Sequence, residues 1–446
     1  MPGRFPHAGV GSVGHREYPL ISTLMRFLYS RMLAPAAMFV LLTGAARGQN
    51  TTRITLDQAI DLALAHNHSL KATRTQILQN QAQEVTANLR PNPTLGLDTQ
   101  FVPFFSPQDF SGENLNETQQ FDVGISYLFE RGHKRQRRLQ AARDQTAVTR
   151  AQVADAERTL AFNVGQQFVS VLLAESTLQF ALEDLKGFQE TVDISETQLK
   201  AGYIGEGDYL KIKLQLLQFE TDVSSARLAK KQALVSLREF LGYSAVPADY
   251  DVVGDLAFQS LQGNLEDLQA RALRERPDFR AAELGITAAQ SQILLAKANA
   301  KVDVTGTYDF DHVAGENTAS IFANFALPIF DRNQGEIART GHVLTQAQEQ
   351  MQAASDTVLS DVANAYEAVR SNEEVVRLYT SGYLKQAQDS RDISEYAYKR
   401  GAASLLDFLD AERSYRAVEL AYRQALAAYM TALEQLKEAE GTRNLP

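Results

Sequence analysis

The chain contains no cysteine and no tryptophan among its 446 residues. Without cysteine it forms no disulfide bond and offers no N-terminal cysteine for lipid attachment, so any attachment to a membrane must come from the fold. The net charge of −10 argues against nucleic acid as a partner. These absences leave the repeats and the hydrophobic periodicity as the informative features.

Signatures of enzymes are absent as well. The histidines are scattered, and the closest pair, His66 and His68, has no carboxylate or third histidine at ligand spacing. We interpret this pair as exposed helix-end residues and not as a metal site. No phosphate-binding glycine loop and no serine nucleophile elbow occur. The sequence therefore predicts a protein that is not an enzyme and binds no cofactor or metal.

The first residues have the composition of an export signal. Arg26 and Arg31 precede the apolar run 32–45, and small residues follow it up to Gly48. This order is typical of a secretory signal peptide cleaved after Gly48, and Met25 is a candidate for the true start. A membrane helix is the alternative, but the run is too short to span a bilayer.

A duplication organises the rest of the chain. Gly401 and the heptads after it repeat the pattern that follows Gly202, 199 residues upstream. In the downstream copy the rows are Phe408, Tyr415, Tyr422, Tyr429, Leu436 and Ala411, Val418, Ala425, Ala432. In the upstream copy they are Tyr209, Leu216, Val223, Leu237, interrupted by Lys230, and Ile212, Phe219, Ala226, Ala233, Phe240. Two rows at this spacing predict the a and d seams of long coiled coils.

Each copy reads as a helix, a β-hairpin and two helices. The first helix is predicted over 56–89, and the second copy begins at Leu265. Period-two alternation predicts strands near 95–101, 121–129, 302–310 and 320–327, with a long loop over 106–119 and a loop at Gly315.

Proline-free stretches follow both hairpins, over 132–200 and 334–399, and predict helices of about 100 Å. We divide the chain into an N-terminal extension and signal peptide (1–48), a first repeat (49–243), an irregular joint (244–263), a second repeat (264–440) and a tail (441–446).

The predicted strands require partners outside the chain. Strands of about ten residues cross a bilayer when tilted, but four strands cannot close a barrel, and an open edge cannot face lipid. Twelve strands from a homotrimer satisfy closure. The fold class is thus mainly α with membrane β: a helical coiled-coil barrel joined to a twelve-stranded barrel. Soluble hairpins packed on a domain core are the alternative.

Two groups of residues bear on the membrane. Aromatic residues cluster at the predicted strand ends and suggest an interfacial girdle: Phe101, Phe104, Phe105, Tyr127, Phe129, Tyr308, Phe310 and Phe330. A basic group follows the second strand: Arg131, Lys134, Arg135, Arg137 and Arg138. It fits either the lipid headgroup boundary or an ordinary solvated helix start.

The chain resembles the TolC-type outer-membrane efflux channels over essentially all of residues 50–440. The resemblance rests on the duplication and on "LDQAIDLALAHN" (56–67), "RPNPTL" (90–95) and "RGAASLLDFLDAERSYR" (400–416). "FERGHKRQRRLQAA" (129–142) and "LPIFDRNQGEIAR" (327–339) resemble the outer components of cobalt–zinc–cadmium efflux systems, although His133 stands where that branch often has Gly.

The resemblance implies a homotrimer in the outer membrane with a periplasmic tunnel, onto which a periplasmic adaptor and an inner-membrane pump dock. Gly202 and Gly401 would mark the tip turns, and Asp407 and Asp410 would line the pore constriction. Asp208 would help hold the closed state, but its basic partner in the family is replaced by Ala403 here. The alternative is that both aspartates are solvated residues near a helix start, stabilised by the helix dipole.

Three functions remain open at this point. The leading hypothesis is a passive exit duct for substrates, heavy-metal cations among them, delivered by a partner pump. The same architecture serves type I protein secretion, because the pump selects the cargo. The third hypothesis, a periplasmic coiled-coil adaptor or structural protein, fits less well because adaptors do not repeat hairpin strands in two halves.

Overall fold

The computed structural model describes residues 52–443 and 445, and the predicted signal peptide lies outside them. The first half comprises β1 (Arg53–Ile54), α1 (Leu56–His66), α2 (His68–Ala87), β2 (Thr94–Gln100), α3 (Gly112–Thr118), β3 (Gln120–Phe129), α4 (Lys134–Lys200) and α5 (Glu206–Leu241). The second comprises β4 (Asp251–Val252), α6 (Leu265–Glu275), α7 (Pro277–Asn299), β5 (Val304–Val313), β6 (Glu316–Asn324), α8 (Gln334–Leu378), α9 (Leu384–Lys399) and α10 (Leu405–Glu440). Both halves thus repeat helix pair, hairpin and long helices.

The prediction of a single helix over 56–89 is wrong, because the chain forms two helices, α1 and α2, that are separated at Asn67. The backbone of Asn67 is extended (φ −60°, ψ 121°), and its side chain accepts a hydrogen bond from the Leu70 amide at 3.0 Å. Asparagine favours such caps because its carbonyl replaces a missing helical partner. The second copy breaks at Arg276 (φ −67°, ψ 123°), 209 residues on, where Pro277 disfavours a helical residue before it.

The four long strands form one antiparallel sheet in the order β2-β3-β5-β6. The fourth strand spans Glu316–Asn324, so the predicted range 320–327 is shifted, and a two-residue turn at Ala314 and Gly315 replaces the predicted loop. The predicted loop over 106–119 contains a short 3-10 helix and α3. Strands β2 and β6 each leave one edge unpaired within the described chain.

The two faces of this sheet differ in chemistry. The register places Leu97, Val123 and Phe310 side by side on one face, and Asp98, Asp122 and Asp311 side by side on the other. On the first face most large apolar side chains are exposed: Leu95, Leu97, Phe121, Ile125, Tyr308, Phe310 and Ile321. Such a face requires a non-aqueous environment.

The long helices match the prediction in the first copy only. Helix α4 runs without interruption over 67 residues, or about 100 Å. The helix predicted over 334–399 is interrupted by a π-helical segment, Tyr379–Tyr383. Within it Gly382 adopts φ 140°, ψ −18°, a conformation that residues with a Cβ rarely reach. The two copies therefore differ at this level.

The predicted heptad rows form the core. Ile212, Phe219 and Val223 are buried on α5, as are Phe408, Tyr429 and Leu436 on α10. The interruption at Lys230 is accommodated because its ammonium pairs with Glu175 and with Asp251, the latter at 2.9 Å. Asp251 belongs to β4, which pairs with β1 and ties the joint between the halves to the start of the first repeat.

No helix within residues 52–443 is both long enough and apolar enough to cross a membrane.

Candidate functional site

The two turns predicted to be the tips lie at the same end of the long helices. Gly202 (φ 75°) and Gly401 (φ 73°) are both left-handed, and each follows the last turn of a helix. The Gln198 amide side chain donates to the Lys399 carbonyl at 3.2 Å, which joins the two helix ends. The 199-residue offset is therefore visible as two adjacent turns of the same design.

Aromatic stacking fixes the helices beneath these turns. The ring of Phe188 on α4 stacks on Phe219 of α5 at 4.4 Å, and Tyr398 of α9 stacks on Phe408 at 5.4 Å. Because Phe408 is buried, the opposite side of α10 is exposed, and it carries Asp407 and Asp410. The packing thus determines which way both aspartates face.

Asp407 closes the first turn of α10. Its carboxylate accepts a hydrogen bond from the Ser404 hydroxyl at 2.7 Å, while its amide donates to that hydroxyl oxygen at 3.2 Å. This capping box satisfies the free amides of a helix start. Asp407 therefore caps the start of α10, and its exposed position leaves the predicted role in the constriction untested.

The other two predicted carboxylates each have a cationic neighbour on their own helix. Asp410 forms an ion pair with Arg413, and Asp208 pairs with Lys211 at 3.0 Å. Both pairs are exposed, so each contributes little to stability. Each pair also places a positive charge beside the carboxylate, which lowers the local net charge.

A buried charge cluster lies just below and was not predicted. Arg416 on α10 donates to Asp184 of α4 at 2.6 Å, pairs with Asp222 of α5, and lies 4.2 Å over the ring of Phe219. One guanidinium thereby joins the second repeat to both long helices of the first. No sequence pattern indicated this role, because Arg416 lies beside the heptad row and not in it, and its partners are about 200 residues away.

Glu412 lies in the same region and forms no direct ion pair with the arginines around it. It is 7% exposed, lines a cavity of about 320 Å³ with Asp184, Arg391 and Glu395, and forms no hydrogen bond or ion pair within residues 52–443. Burial, and then repulsion by Asp184, raises the pKa of Glu412 to about 7. Burial also raises the pKa of Asp184, although Arg416 opposes that effect.

The polar face of the sheet is acidic at the far end of the molecule. Asp98, Asp122 and Asp311 occupy one cross-strand row, and Asp309 lies two residues from Asp311 on the same face. A side-chain atom at Gly124 would approach the Asp309 carboxylate to 1.7 Å, so Gly124 makes room for it. The four strands contain no lysine or arginine.

The foot of the sheet contains the predicted basic group, and its members differ in pairing. Lys134 pairs with Asp303 at 2.6 Å, and Arg138 pairs with Glu130. Phe101 and Phe129 lie at opposite strand ends, as an interfacial girdle requires, but Tyr308 is central in β5. The prediction that all eight aromatic residues lie at strand ends is therefore wrong for Tyr308 and for Phe310, which both lie inside β5.

His66 ends α1 and His68 begins α2, on either side of the break at Asn67. Among residues 52–443 no group of three or more histidine or acidic residues has the geometry to hold a metal ion.

Comparisons with known proteins agree with this architecture. The family described as "Outer membrane efflux protein" matches residues 59–243 and 268–442. The chain is 23% identical to the cobalt-zinc-cadmium resistance protein CzcC of Cupriavidus metallidurans, over 87% of this chain and 88% of that protein. It is 26% identical to the pyoverdine export outer membrane protein OpmQ of Pseudomonas aeruginosa, over 86% and 85%. A crystal structure of CusC superposes with a TM-score of 0.73 at 21% identity, covering 89% of this chain and 95% of that chain.

Proposed function

Because this chain belongs to the outer membrane efflux protein family, we propose that it is the outer-membrane duct of a tripartite system that exports metal cations. A periplasmic adaptor and an inner-membrane pump deliver the substrate, and the duct itself is passive. The acidic, lysine- and arginine-free polar face of the sheet is the observation that carries the cation preference.

Closure of the sheet supports a homotrimer. Each protomer has two free strand edges, β2 and β6, and an exposed apolar face that suits lipid. Pairing β6 of one protomer with β2 of the next satisfies every edge amide, and three protomers give about twelve strands. With the apolar face toward lipid, the polar face lines the lumen.

The lumen of this barrel would be lined by negative charge alone. Four aspartates per protomer, Asp98, Asp122, Asp309 and Asp311, would give about twelve carboxylates in the trimer. Like charges opposite each other across strands are destabilising unless water or cations screen them. A ring of this kind favours cations over anions in transit.

The relatives divide over the cargo. CzcC is named for cobalt, zinc and cadmium, and CusC for cation efflux, whereas OpmQ is named for pyoverdine export. The lumen chemistry of this chain favours the cation group. Pyoverdine export and type I protein secretion are the alternatives, and the experiment on the cargo described below distinguishes them from metal export.

Single-channel recording in planar bilayers tests the cation preference. We expect wild-type channels to pass K⁺ in preference to Cl⁻ under a KCl gradient. Replacing Asp98, Asp122, Asp309 and Asp311 with asparagine should shift the reversal potential toward zero, because the lumen loses its negative field. Glu183→Gln and Glu190→Gln, which together remove two carboxylates per protomer from the helical region, are the control for loss of negative charge outside the barrel. An unchanged reversal potential in the barrel variant contradicts the proposed lumen.

We propose that Asp407 and Asp410 line the constriction of the tunnel, with Gly202 and Gly401 at its tips. The ion pair with Arg413 reduces the charge that Asp410 presents to the pore. Replacing both aspartates with alanine should raise conductance and weaken block by multivalent cations, and Arg413→Gln should strengthen that block. If neither variant changes the block, these residues do not line the pore.

Asp208 is proposed as a closed-state contact that acts without the family's basic partner, since Ala403 stands at that position and Lys211 holds the carboxylate. Asp208→Asn should change the resting conductance in the same recordings. No change in conductance would remove Asp208 from the gate.

The cargo is tested in the source bacterium. Deleting the gene should lower tolerance to cobalt, zinc or cadmium, and restoring the wild type should recover it. The variant without lumen aspartates should recover it only in part. Normal metal tolerance combined with lost secretion of a protein or siderophore would replace the metal assignment with one of the alternatives.

A further inference from the structure

The foot of the sheet contains a cleft with uncompensated positive charge. It has a volume of about 300 Å³ and is lined by Arg90, Tyr127, Phe129, Lys134 and Arg135 among others. Lys134 pairs with Asp303, and the one acidic lining residue, Glu130, is paired with Arg138.

The two remaining cations of the cleft, Arg90 and Arg135, form no hydrogen bond or ion pair among the described residues. Arg135 is half-buried and Arg90 is exposed, and both line the cleft. The positive end of the α4 dipole adds to this charge, since the first turn of α4 contains no acidic residue. The cleft therefore has a net charge of about +2 and suits an anion.

The same cleft is continuous with the apolar face of the sheet. Tyr127 and Phe129 meet edge to face at 5.0 Å and stand in the row that contains Val123 and Ile125. A ligand in the cleft thus has cations at one end and a lipid-facing apolar surface at the other. Both features are required by an amphiphile whose head is a phosphate.

We propose that this cleft binds the headgroup of an anionic glycerophospholipid, with the acyl chains lying along the apolar face of β2 and β3. Guanidinium groups bind phosphate oxygens in pairs, which suits Arg90 and Arg135. The site lies where the strands meet the long helices, so it faces the periplasmic leaflet and not the outer surface. The inference depends on the proposed orientation of the barrel but not on its cargo.

The test compares lipids retained by the purified full-length trimer. The protein is delipidated, equilibrated with mixed micelles of phosphatidylglycerol and phosphatidylethanolamine, and examined by native mass spectrometry. We expect about one phosphatidylglycerol per protomer, with phosphatidylethanolamine largely excluded because its amine meets the arginines. In the double variant R90Q/R135Q, retention of phosphatidylglycerol should fall by about 30-fold.

The matched control is R150Q/R227Q, which removes two exposed arginines from α4 and α5 with the same change in charge. It should retain phosphatidylglycerol as the wild type does. If the R90Q/R135Q variant fails to assemble, the single variants R90Q and R135Q are expected to give intermediate retention.

Equal retention of both lipids, or equal loss in the two double variants, would overturn the site. Normal single-channel conductance alongside that result means that only the lipid site has failed. Failure of the wild-type chain to insert and conduct would instead refute the proposed function.

Discussion

Glu412 makes the stability of the helical end depend on pH, and the sign follows from its surroundings. Its carboxyl is buried between α4, α9 and α10, where Arg391 and Arg416 offset only part of the effects of burial and of Asp184. An acid whose pKa is raised by folding binds its proton more tightly in the folded state. Its contribution is therefore complete below its unfolded pKa and is lost as the pH rises through its folded value.

The size of this effect follows from the shift. The pKa rises from 4.5 to about 7, and each unit corresponds to about 1.4 kcal/mol, so this group removes about 3 kcal/mol of stability between those pH values. Glu412→Gln keeps the shape of the side chain and has no proton to lose. The variant should therefore equal the wild type near pH 4.5 and exceed its local stability at pH 8.

Hydrogen exchange measures this difference in the detergent-solubilised protein. We expect the α10 amides near Glu412, corrected for intrinsic exchange rates, to lose protection between pH 5 and 8 in the wild type and to keep it in the variant. Glu373→Gln is the opposite control. Glu373 is also buried, but hydrogen bonds from Ser260 and Arg377 outweigh that burial and lower its pKa, so its replacement should reduce protection at pH 8. The same pH dependence in wild type and Glu412→Gln would refute the reasoning.

Three further predictions concern the scaffold, and each is measured by thermal unfolding of the purified protein. Arg276→Ala should destabilise by about 1–3 kcal/mol, because it removes a buried guanidinium that hydrogen-bonds to Asp278, Asp361 and the Ala439 carbonyl; wild-type stability would show that the cluster is redundant. Gly382→Ala should cost about 1–3 kcal/mol through backbone strain, whereas Gly187→Ala, in open space on α4, should be neutral or slightly stabilising; equal effects would contradict the strain argument. Asn67→Ala should cost about 1 kcal/mol or more, because it removes both the cap of α2 and the hydrogen bond to the Phe240 carbonyl. Asn67→Asp keeps the cap acceptor but loses the donor, so it should restore only part of that stability; no loss in the alanine variant would mean that packing alone holds the break.

Hydrophobic periodicity correctly predicted the helices and strands in which one face is regularly buried. The heptad rows on α5 and α10 pack as expected, and the strand near 121–129 is β3 with its alternating faces. The breaks at Asn67 and Arg276 had local signals, an N-cap residue and a following proline, but the apolar stripe continues through both. The π-segment was not predicted, because Gly382 is a single glycine in a proline-free sequence with a helical pattern on both sides.

The candidate site was predictable only in its position. The Gly202 and Gly401 turns carry their own backbone signal, since both require a left-handed residue. The pairing of Asp410 with Arg413 also follows from helical spacing. The contact of Arg416 with Asp184 does not, because it joins residues 232 positions apart whose proximity depends on the complete fold.

The unequal long helices give the duplication a consequence of its own. If the two repeats were separate chains of identical sequence, every copy would contain the same long helix with the same interruption. Because the two repeats are parts of one chain, their sequences can differ. Helix α4 is continuous, whereas the corresponding helix of the second repeat contains the π-segment Tyr379–Tyr383. Each repeat can therefore change without the other, so one chain can combine a continuous long helix with an interrupted one.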